Sequence, residues 1–361
     1  MLATTTHPVP PPTPGPHDPI VAGIDTHKNT HHVAVLSMTG ALIADTAFAA
    51  TSSGYRQLLD WVRTHGQIDT IGIEGTSSYG AGLTRHLNAA GIRVVAVPAA
   101  DKAARARRGK TDQLDAIDAA RAVLAGTATA IPKDTTGSTE SIRILSTTRD
   151  SAIKARTAAI NAFHALLITA PAVVGEAFTG LTRARMLAKA RNLHPDPDRA
   201  GEPQQAARLA LRRYARRITA LDTEITDADR EIRALVTQAA PHLLAADGIG
   251  PHTAAQFLTT AASNIDRISG EAAFARLCGA APIPVSSGNT HRMRLHRGGD
   301  RQANRALHMI VVGRLRRDPD TQAYRDRKLQ QGHSKKDAIR CLKRYIAREV
   351  YYLLRKDLLV P

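Results

Sequence analysis

The chain has 361 residues, of which 49 are Lys or Arg and 32 are Asp or Glu, giving a formal net charge of +17. That excess points to a polyanionic partner, nucleic acid first among them, over a merely basic housekeeping protein. A hydrophobic fraction of 43% excludes a disordered basic tail, and 4% aromatics argues against a base-stacking platform as the main binding mode.

Residues 1–18 are rich in proline and read as an extended, disordered leader, lacking the charged and apolar regions of a secretory signal. Ile20–Asp25 then reads as a buried strand, Thr30–Leu36 as a second and Ala41–Ala49 as a third. Ser52 caps a predicted helix running to about His65. Thr70–Gly75 is a short strand, Tyr79–Ala90 a helix, Arg93–Pro98 a strand, and a further helix runs from Thr111 to about Leu124. The order βββαβαβα is that of an RNase H-like domain, expected over residues 19–130. A doubly wound nucleotide-binding fold competes, but its first strand would lead into a Gly-rich loop and a helix. Here the first strand ends in Asp-Thr-His-Lys.

Residues 140–240 read as all-helical. Leu211, Tyr214, Ile218, Leu221, Ile225, Ala228, Ile232 and Leu235 alternate steps of three and four, the seam of a coiled coil. Its partner is either a helix of the same chain near Ser151–Ile168 or a second copy. Residues 241–361 form a mainly helical C-terminal domain. Gly-Ile-Gly at 248–250 opens it as a helix-hairpin-helix phosphate grip or as a tight loop between packed helices. The fold class is thus α/β plus all-α. No apolar run approaches the roughly 18 residues of a membrane span. Two widely spaced cysteines, Cys278 and Cys341, fit a reducing cytosol, so a cytoplasmic location is expected.

Four carboxylates carry the candidate chemistry. Asp25 and Glu74 close predicted hydrophobic strands, a costly place for charge unless a partner such as a cation is present. Asp112 and Asp115 fall at i and i+3 near a helix start, on one face. Favourable interaction with the helix dipole is the plainer reading of that pair. Asp118 continues the spacing but lies a turn further from the helix start and is left out. Together the four suit two hard cations, Mg²⁺ or Mn²⁺, of the kind that stabilise the attacking and leaving oxygens of a phosphodiester. His27, His31 and His32 read as turn and surface residues. Lys102, Arg105, Arg107, Arg108 and Lys110 form a cationic run before the acidic pair, and Arg292, Arg294, Arg297 and Arg301 a second one near the C-terminus. Both are candidate phosphate-backbone contacts.

Asp25 in GIDTHK, Glu74 in GIEGTSSYG and the pair in KTDQLDA resemble the DEDD transposases of bacterial insertion sequences. The family is the one numbered one hundred and ten, with Piv-type DNA invertases as relatives. GIGPHTAAQFL, CGAAPIPVSSG and RGGDRQANRAL carry the resemblance into the C-terminal region. It implies a RuvC-like N-terminal domain, a coiled-coil middle and a C-terminal transposase domain bearing a catalytic serine. That serine corresponds to Ser287 in the SSG turn, with Ser286 the alternative. By itself Ser-Ser-Gly-Asn reads as an ordinary loop, and no histidine–carboxylate pair stands ready to activate it; a metal, Arg292 or Arg294 would have to. The resemblance further implies recombination of donor and target DNA, with a covalent protein–DNA link. It also implies a structured non-coding guide RNA that pairs with both DNAs, and association with the nucleoid. Strand exchange and the heptad seam together make a homodimer or higher homo-oligomer the expected assembly. Two other functions fit less of the chain. One is a Holliday-junction resolvase-like nuclease using the acidic site alone. The other is a non-enzymatic RNA-binding protein.

Overall fold

Strand β1 (Pro19–Thr26) is buried along its whole length after Pro19, as expected for the middle of a sheet covered on both faces. In this computed structural model the described residues are Gly15, 17–98 and 111–359. The leader as far as residue 14 and the run from Lys102 to Lys110 lie outside them. The chain divides into two compact units, Met1–Thr135 and Thr136–Pro361.

In the first unit β1 pairs antiparallel with β2 (Thr30–Ser37), which pairs antiparallel with β3 (Leu42–Ala49). On its other side β1 pairs parallel with β4 (Gln67–Glu74), and β4 with β5 (Val94–Val97), for a sheet order β3-β2-β1-β4-β5. Side chains alternate across a strand with period two. Ile20, Ala22 and Ile24 therefore face helices α1 (Ser52–Arg63) and α2 (Ala81–Ala89), joining Leu58, Leu83 and Leu87 in one core. Thr51, one residue earlier than the expected Ser52, caps α1 by accepting from the Gly54 amide. Val21 faces the opposite side, against Ala120 and Val123 of helix α3 (Asp112–Leu124). Gly23 lies on that same face, and so does Asp25 by the two-residue alternation.

The second unit begins with two long helices, α4 (Gly137–Thr169) and α5 (Pro203–Ala239). Arg149 pairs with Asp229 and Arg156 with Asp222. An advance of seven residues on one helix thus matches a retreat of seven on the other, so the two run antiparallel. Along the predicted seam Leu211, Ile218, Ile225, Ala228 and Ile232 are buried, while Tyr214, Leu221 and Leu235 are half-buried. The hairpin within the chain is the seam's partner here. Ile142, Ile232 and Val236 join the core built by Phe257 of α6 (Pro251–Ala261), Phe274 of α7 (Glu271–Leu277) and Leu307 of α8 (Arg301–Arg317). Helices α9 (Pro319–Gln330) and α10 (Lys335–Leu359) complete the unit, with Val350 and Leu354 in the same core. Gly248, at φ 76°, and buried Ile249 form a tight turn into α6, and Arg314 and Arg317 of α8 hold Asp247 just before it.

The region expected to be mainly helical also contains a hairpin, β6 (Pro282–Ser287) and β7 (Thr290–Leu295). Two prolines in PIPVSS weaken its strand signal and confine it to a two-stranded ribbon. Among the described residues no helix is long and apolar enough to cross a membrane.

Candidate active site

The acidic residues meet because of how α3 sits on the sheet. Gly23 and Gly72 are register partners on β1 and β4, and Ile24 and Ile73 follow as the next pair. The next residues are Asp25 and Glu74, which therefore stand side by side at the ends of adjacent parallel strands. Thr26 Oγ1 donates to the Glu74 carbonyl at 2.7 Å and ties those ends together. Thr111 caps α3, its Oγ1 accepting from the Leu114 amide, so Asp112 and Asp115 occupy the first turn. Asp115 and Asp25 are buried, Glu74 is half-buried and Asp112 is exposed.

Burial is the main cause that raises the Asp25 carboxyl above its ordinary value, and nearby His27 opposes it. Asp115, Glu74 and Asp112, in that order, push it up further. The other three predicted carboxylates thus act electrostatically on Asp25. Asp25 Oδ2 is buried with no hydrogen-bond partner, at 3.5 Å from His27 Nδ1. A buried carboxylate oxygen among three other carboxylates is poorly compensated unless a cation is bound. The donor set fits a hard divalent ion.

One residue of this cluster was missed from sequence. His27, in the turn after β1, has Nδ1 at 3.9 Å from Asp112 Oδ2, and ligand atoms of Asp25, His27 and Asp112 all lie within 4.8 Å of one another. The signal was its position two residues after the strand-end Asp25. The other two histidines correct the surface reading in a different way. His31 is fully buried and stacks on Tyr55 with ring centroids 5.6 Å apart, and burial lowers its pKa. His32 Nε2 lies 2.8 Å from Asp45 Oδ2, whose other oxygen accepts from Gln113 at 2.8 Å. Asp118 lies 3.5 Å from Arg121, its neighbour one turn along the helix.

Ser287 ends β6 in register with Thr290, and Ser286 is in register with His291. Gly288, at φ 55°, opens the two-residue turn between the strands, a conformation that glycine adopts without strain. Ser286 and Ser287 are both exposed, and the alternation of a strand points them to opposite faces. Arg294 pairs with Ile283, four residues from Ser287 along the ribbon, roughly 13 Å at strand spacing. The side chain of Arg292 lies outside the described residues. Arg297 and Arg301 are exposed and line a cavity of about 620 Å³ with Arg305, His308 and Lys343. Asp300 at its edge accepts from the Gln302 and Ala303 amides, which occupies the start of α8.

A family model of DEDD transposases of the IS110 type, described as "Transposase", matches residues 22–170. A second, described as "Transposase IS116/IS110/IS902 family", matches residues 240–326. The chain is also 30% identical over 155 residues to the Insertion element IS900 uncharacterized 42 kDa protein of Mycobacterium paratuberculosis. That match covers 42% of this chain and 39% of the relative, so the chain spans about two fifths of the relative's length. With matches of both kinds in the same order along one chain, this protein belongs to the IS110 family of insertion-sequence transposases.

Proposed function

We propose that the chain is a metal-dependent DNA transposase that cuts and rejoins strands, with Asp25, Glu74, Asp112 and Asp115 holding Mg²⁺ or Mn²⁺. The sheet order β3-β2-β1-β4-β5, with an antiparallel meander followed by parallel strands, supports an RNase H-like, RuvC-like reading of residues 19–130. The observation that carries the metal role is the buried Asp25 Oδ2, without a hydrogen-bond partner, in a carboxyl that three other carboxylates push up. A bound cation would supply charge stabilisation at the phosphodiester oxygens. Asp25 and Asp115 hold the buried side of that site, Glu74 its strand-end side, and exposed Asp112 with His27 its open rim.

Ser287 is the proposed nucleophile: its hydroxyl attacks a phosphodiester, a serine–phosphate ester forms, and the leaving strand departs with a free hydroxyl. Its support is the exposed hairpin-tip position, within the second family match. Arg297 and Arg301, on the wall of an open basic cavity, are proposed backbone contacts, as are Arg292, Arg294 and the cations from Lys102 to Lys110. Donor and target DNA, a structured guide RNA and a second copy of the chain are the proposed partners, in the cytoplasm at the nucleoid.

The test is strand cleavage of supercoiled DNA carrying the element ends, with Mg²⁺, Mn²⁺ or chelator, resolved on denaturing gels. Metal-dependent nicking with a protein–DNA adduct is expected. Nicking without an adduct would replace the reading with a resolvase-like nuclease. Nucleic-acid binding unchanged by neutralising the carboxylates, with no nicking under any metal, would replace it with a non-enzymatic binder.

A further inference from the structure

A cavity of about 670 Å³ lies between the β6–β7 hairpin and helices α9 and α10. Small-ligand sites run to roughly 300–1,000 Å³. Arg294, Lys328, Arg340, Lys343, Arg344 and Arg348 line it against two carboxylates, Glu271 and Asp337. Both carboxylates are taken. Arg344 donates to Glu271 at 2.7 Å and Arg340 to Asp337 at 2.8 Å. Lys343 is buried and donates to Asn304 Oδ1 at 2.7 Å. Arg294 and Arg348 are exposed; Arg348 adds to the pull of Arg344 on Glu271, but at longer range than an ion pair. Arg340, Arg344 and Arg348 recur at four-residue steps, so they stand along one face of α10. The cavity therefore carries an uncompensated positive charge that suits a phosphate.

Its wall is also aromatic, in a chain with few aromatics. Tyr324 and Tyr345 meet edge to face with centroids 5.4 Å apart. Tyr324 is already covered by Arg327 and Lys328, at 5.2 and 5.9 Å from its ring centre. Tyr345 is 56% exposed beside it, which leaves ring surface open at the cavity. An open ring within one helical turn of an exposed arginine (Arg348) is the pairing that holds a base and its phosphate together. The bases of a duplex are stacked on both sides and cannot offer such a ring a free face. Helix α10, which supplies Tyr345 and Arg348, begins after residue 326, where the second family match ends.

We propose that this cavity is a site for one unpaired nucleotide, its base stacked on Tyr345 and its phosphate held by Arg348 and Arg294. The inference rests on the reading of the chain as a nucleic-acid enzyme but not on the acidic site or on Ser287.

The test uses the full chain with a labelled single-stranded DNA 12-mer, an RNA of the same sequence, and the corresponding duplex. Each strand carries one 5-bromouracil, which links to a stacked aromatic ring on long-wave irradiation. Expected is a link at Tyr345 with a single strand and none with the duplex. Affinity read by fluorescence anisotropy should fall about tenfold in Tyr345→Ala and be kept in Tyr345→Phe. Arg348→Ala should lower the salt dependence of single-strand binding by about one phosphate contact. Tighter linking of DNA or of RNA identifies the strand, and either result supports the site. Unchanged affinity in Tyr345→Ala, a link mapped elsewhere, or equal linking of the duplex would overturn it. Asp25→Asn should leave the link intact, so failure of the metal site and failure of this site are read separately.

Discussion

Gly23 and Gly72 are register partners on adjacent parallel strands, and helix α3 lies directly over both. A Cβ at Gly23 would stand 2.1 Å from the Ala116 carbonyl oxygen and 2.2 Å from the Ala120 amide nitrogen. At Gly72 it would meet Val123 Cγ2 at 2.6 Å and the Ala119 oxygen at 3.0 Å. Two residues further along each strand, on the same face, come Asp25 and Glu74. The bare floor that lets the helix approach thus also sets the depth at which Asp115 meets them.

Gly23→Ala should therefore damage the site as well as the fold. The obstructing atoms are helix backbone, which cannot swing aside, so α3 must shift as a body. Overpacking of this kind costs about 1–3 kcal/mol, and more where backbone is in the way. Thermal unfolding should report a lowered melting temperature, and Mg²⁺ or Mn²⁺ titration a weakened affinity. Gly313→Ala, in mid-helix α8 with nothing within 4 Å of the added carbon, is the control. It should be neutral or stabilising by up to about 1 kcal/mol. Unaltered metal binding in Gly23→Ala would show that the helix approach does not set the site.

Asp25→Asn should stabilise the metal-free protein while removing its response to metal. Burial and the neighbouring carboxylates raise the Asp25 pKa, so the folded chain holds this proton more tightly than the unfolded one. The Asp25 contribution to metal-free stability is then complete below the ordinary carboxylate range and is lost as pH rises through the raised value. The amide carries no charge and escapes that loss. Melting curves at neutral pH should show Asp25→Asn above the wild type without metal, and only the wild type rising when Mg²⁺ or Mn²⁺ is added. A variant still shifted by metal would remove Asp25 from the ligand set.

His27 adds an imidazole to a set of oxygen donors, which favours Mn²⁺ over Mg²⁺ relative to carboxylates alone. His27→Ala should weaken Mn²⁺ binding several-fold and change Mg²⁺ binding less. Electron paramagnetic resonance of free Mn²⁺ and calorimetry with Mg²⁺ would measure the two. Equal loss for both ions would make His27 a positioning residue that orients Asp25 or Asp112.

Much of this site was legible because its signals are local. Hydrophobic runs ending in Asp25 and Glu74, and the i, i+3 pair Asp112 and Asp115, depend on strand and helix periods that a sequence displays. His27 was legible only in its position two residues after Asp25, since a histidine in a polar turn looks the same whether it faces solvent or a carboxylate. His31 was misread because the alternation of THHVAVLS does not say which face of β2 the helices cover, and Tyr55, its stacking partner, comes from α1. The heptad seam was plain, yet both candidate partners satisfy the same period; the ion pairs Arg149–Asp229 and Arg156–Asp222 are long-range and decide for the hairpin within the chain. The β6–β7 ribbon was hidden by its prolines.

Cys278 should be inert where Cys341 reacts. Cys278 is fully buried, and burial, helped by Asp300, pushes its thiol up to about 12 from an ordinary 9.0. Native protein treated with iodoacetamide between pH 8 and 10 should be labelled at half-buried Cys341 and not at Cys278, and unfolded protein at both. The folded state keeps this proton more tightly, so the thiol's contribution to stability is complete below pH 9 and is lost as pH climbs towards 12. Peptide mapping after labelling decides; rapid native labelling of Cys278 would mean that the core it shares with Phe274 opens readily.

Ser286 and Ser287 are neighbours on β6, and a strand sends neighbours to opposite faces. Only one of them can present its hydroxyl to a DNA strand lying on a given face of the ribbon. Ser287 pairs with Thr290 beside the Gly288 turn and shares its face with Ile283 and Arg294. If that face receives the DNA, Ser287→Ala should abolish the covalent adduct while Ser286→Ala keeps it at close to the wild-type level. Both side chains are exposed, so neither substitution should move the melting temperature by much. Ser287→Cys supplies a second readout, because a thiolate attacks phosphorus poorly and the adduct should form slowly or not at all. Denaturing gels of the reaction with labelled DNA measure all three variants. An adduct that persists in Ser287→Ala and vanishes in Ser286→Ala would move the nucleophile by one residue and place the DNA on the other face. Persistence in both would assign the covalent link to a residue other than these two serines, whereas nicking without an adduct in either would leave strand cleavage to the acidic site alone.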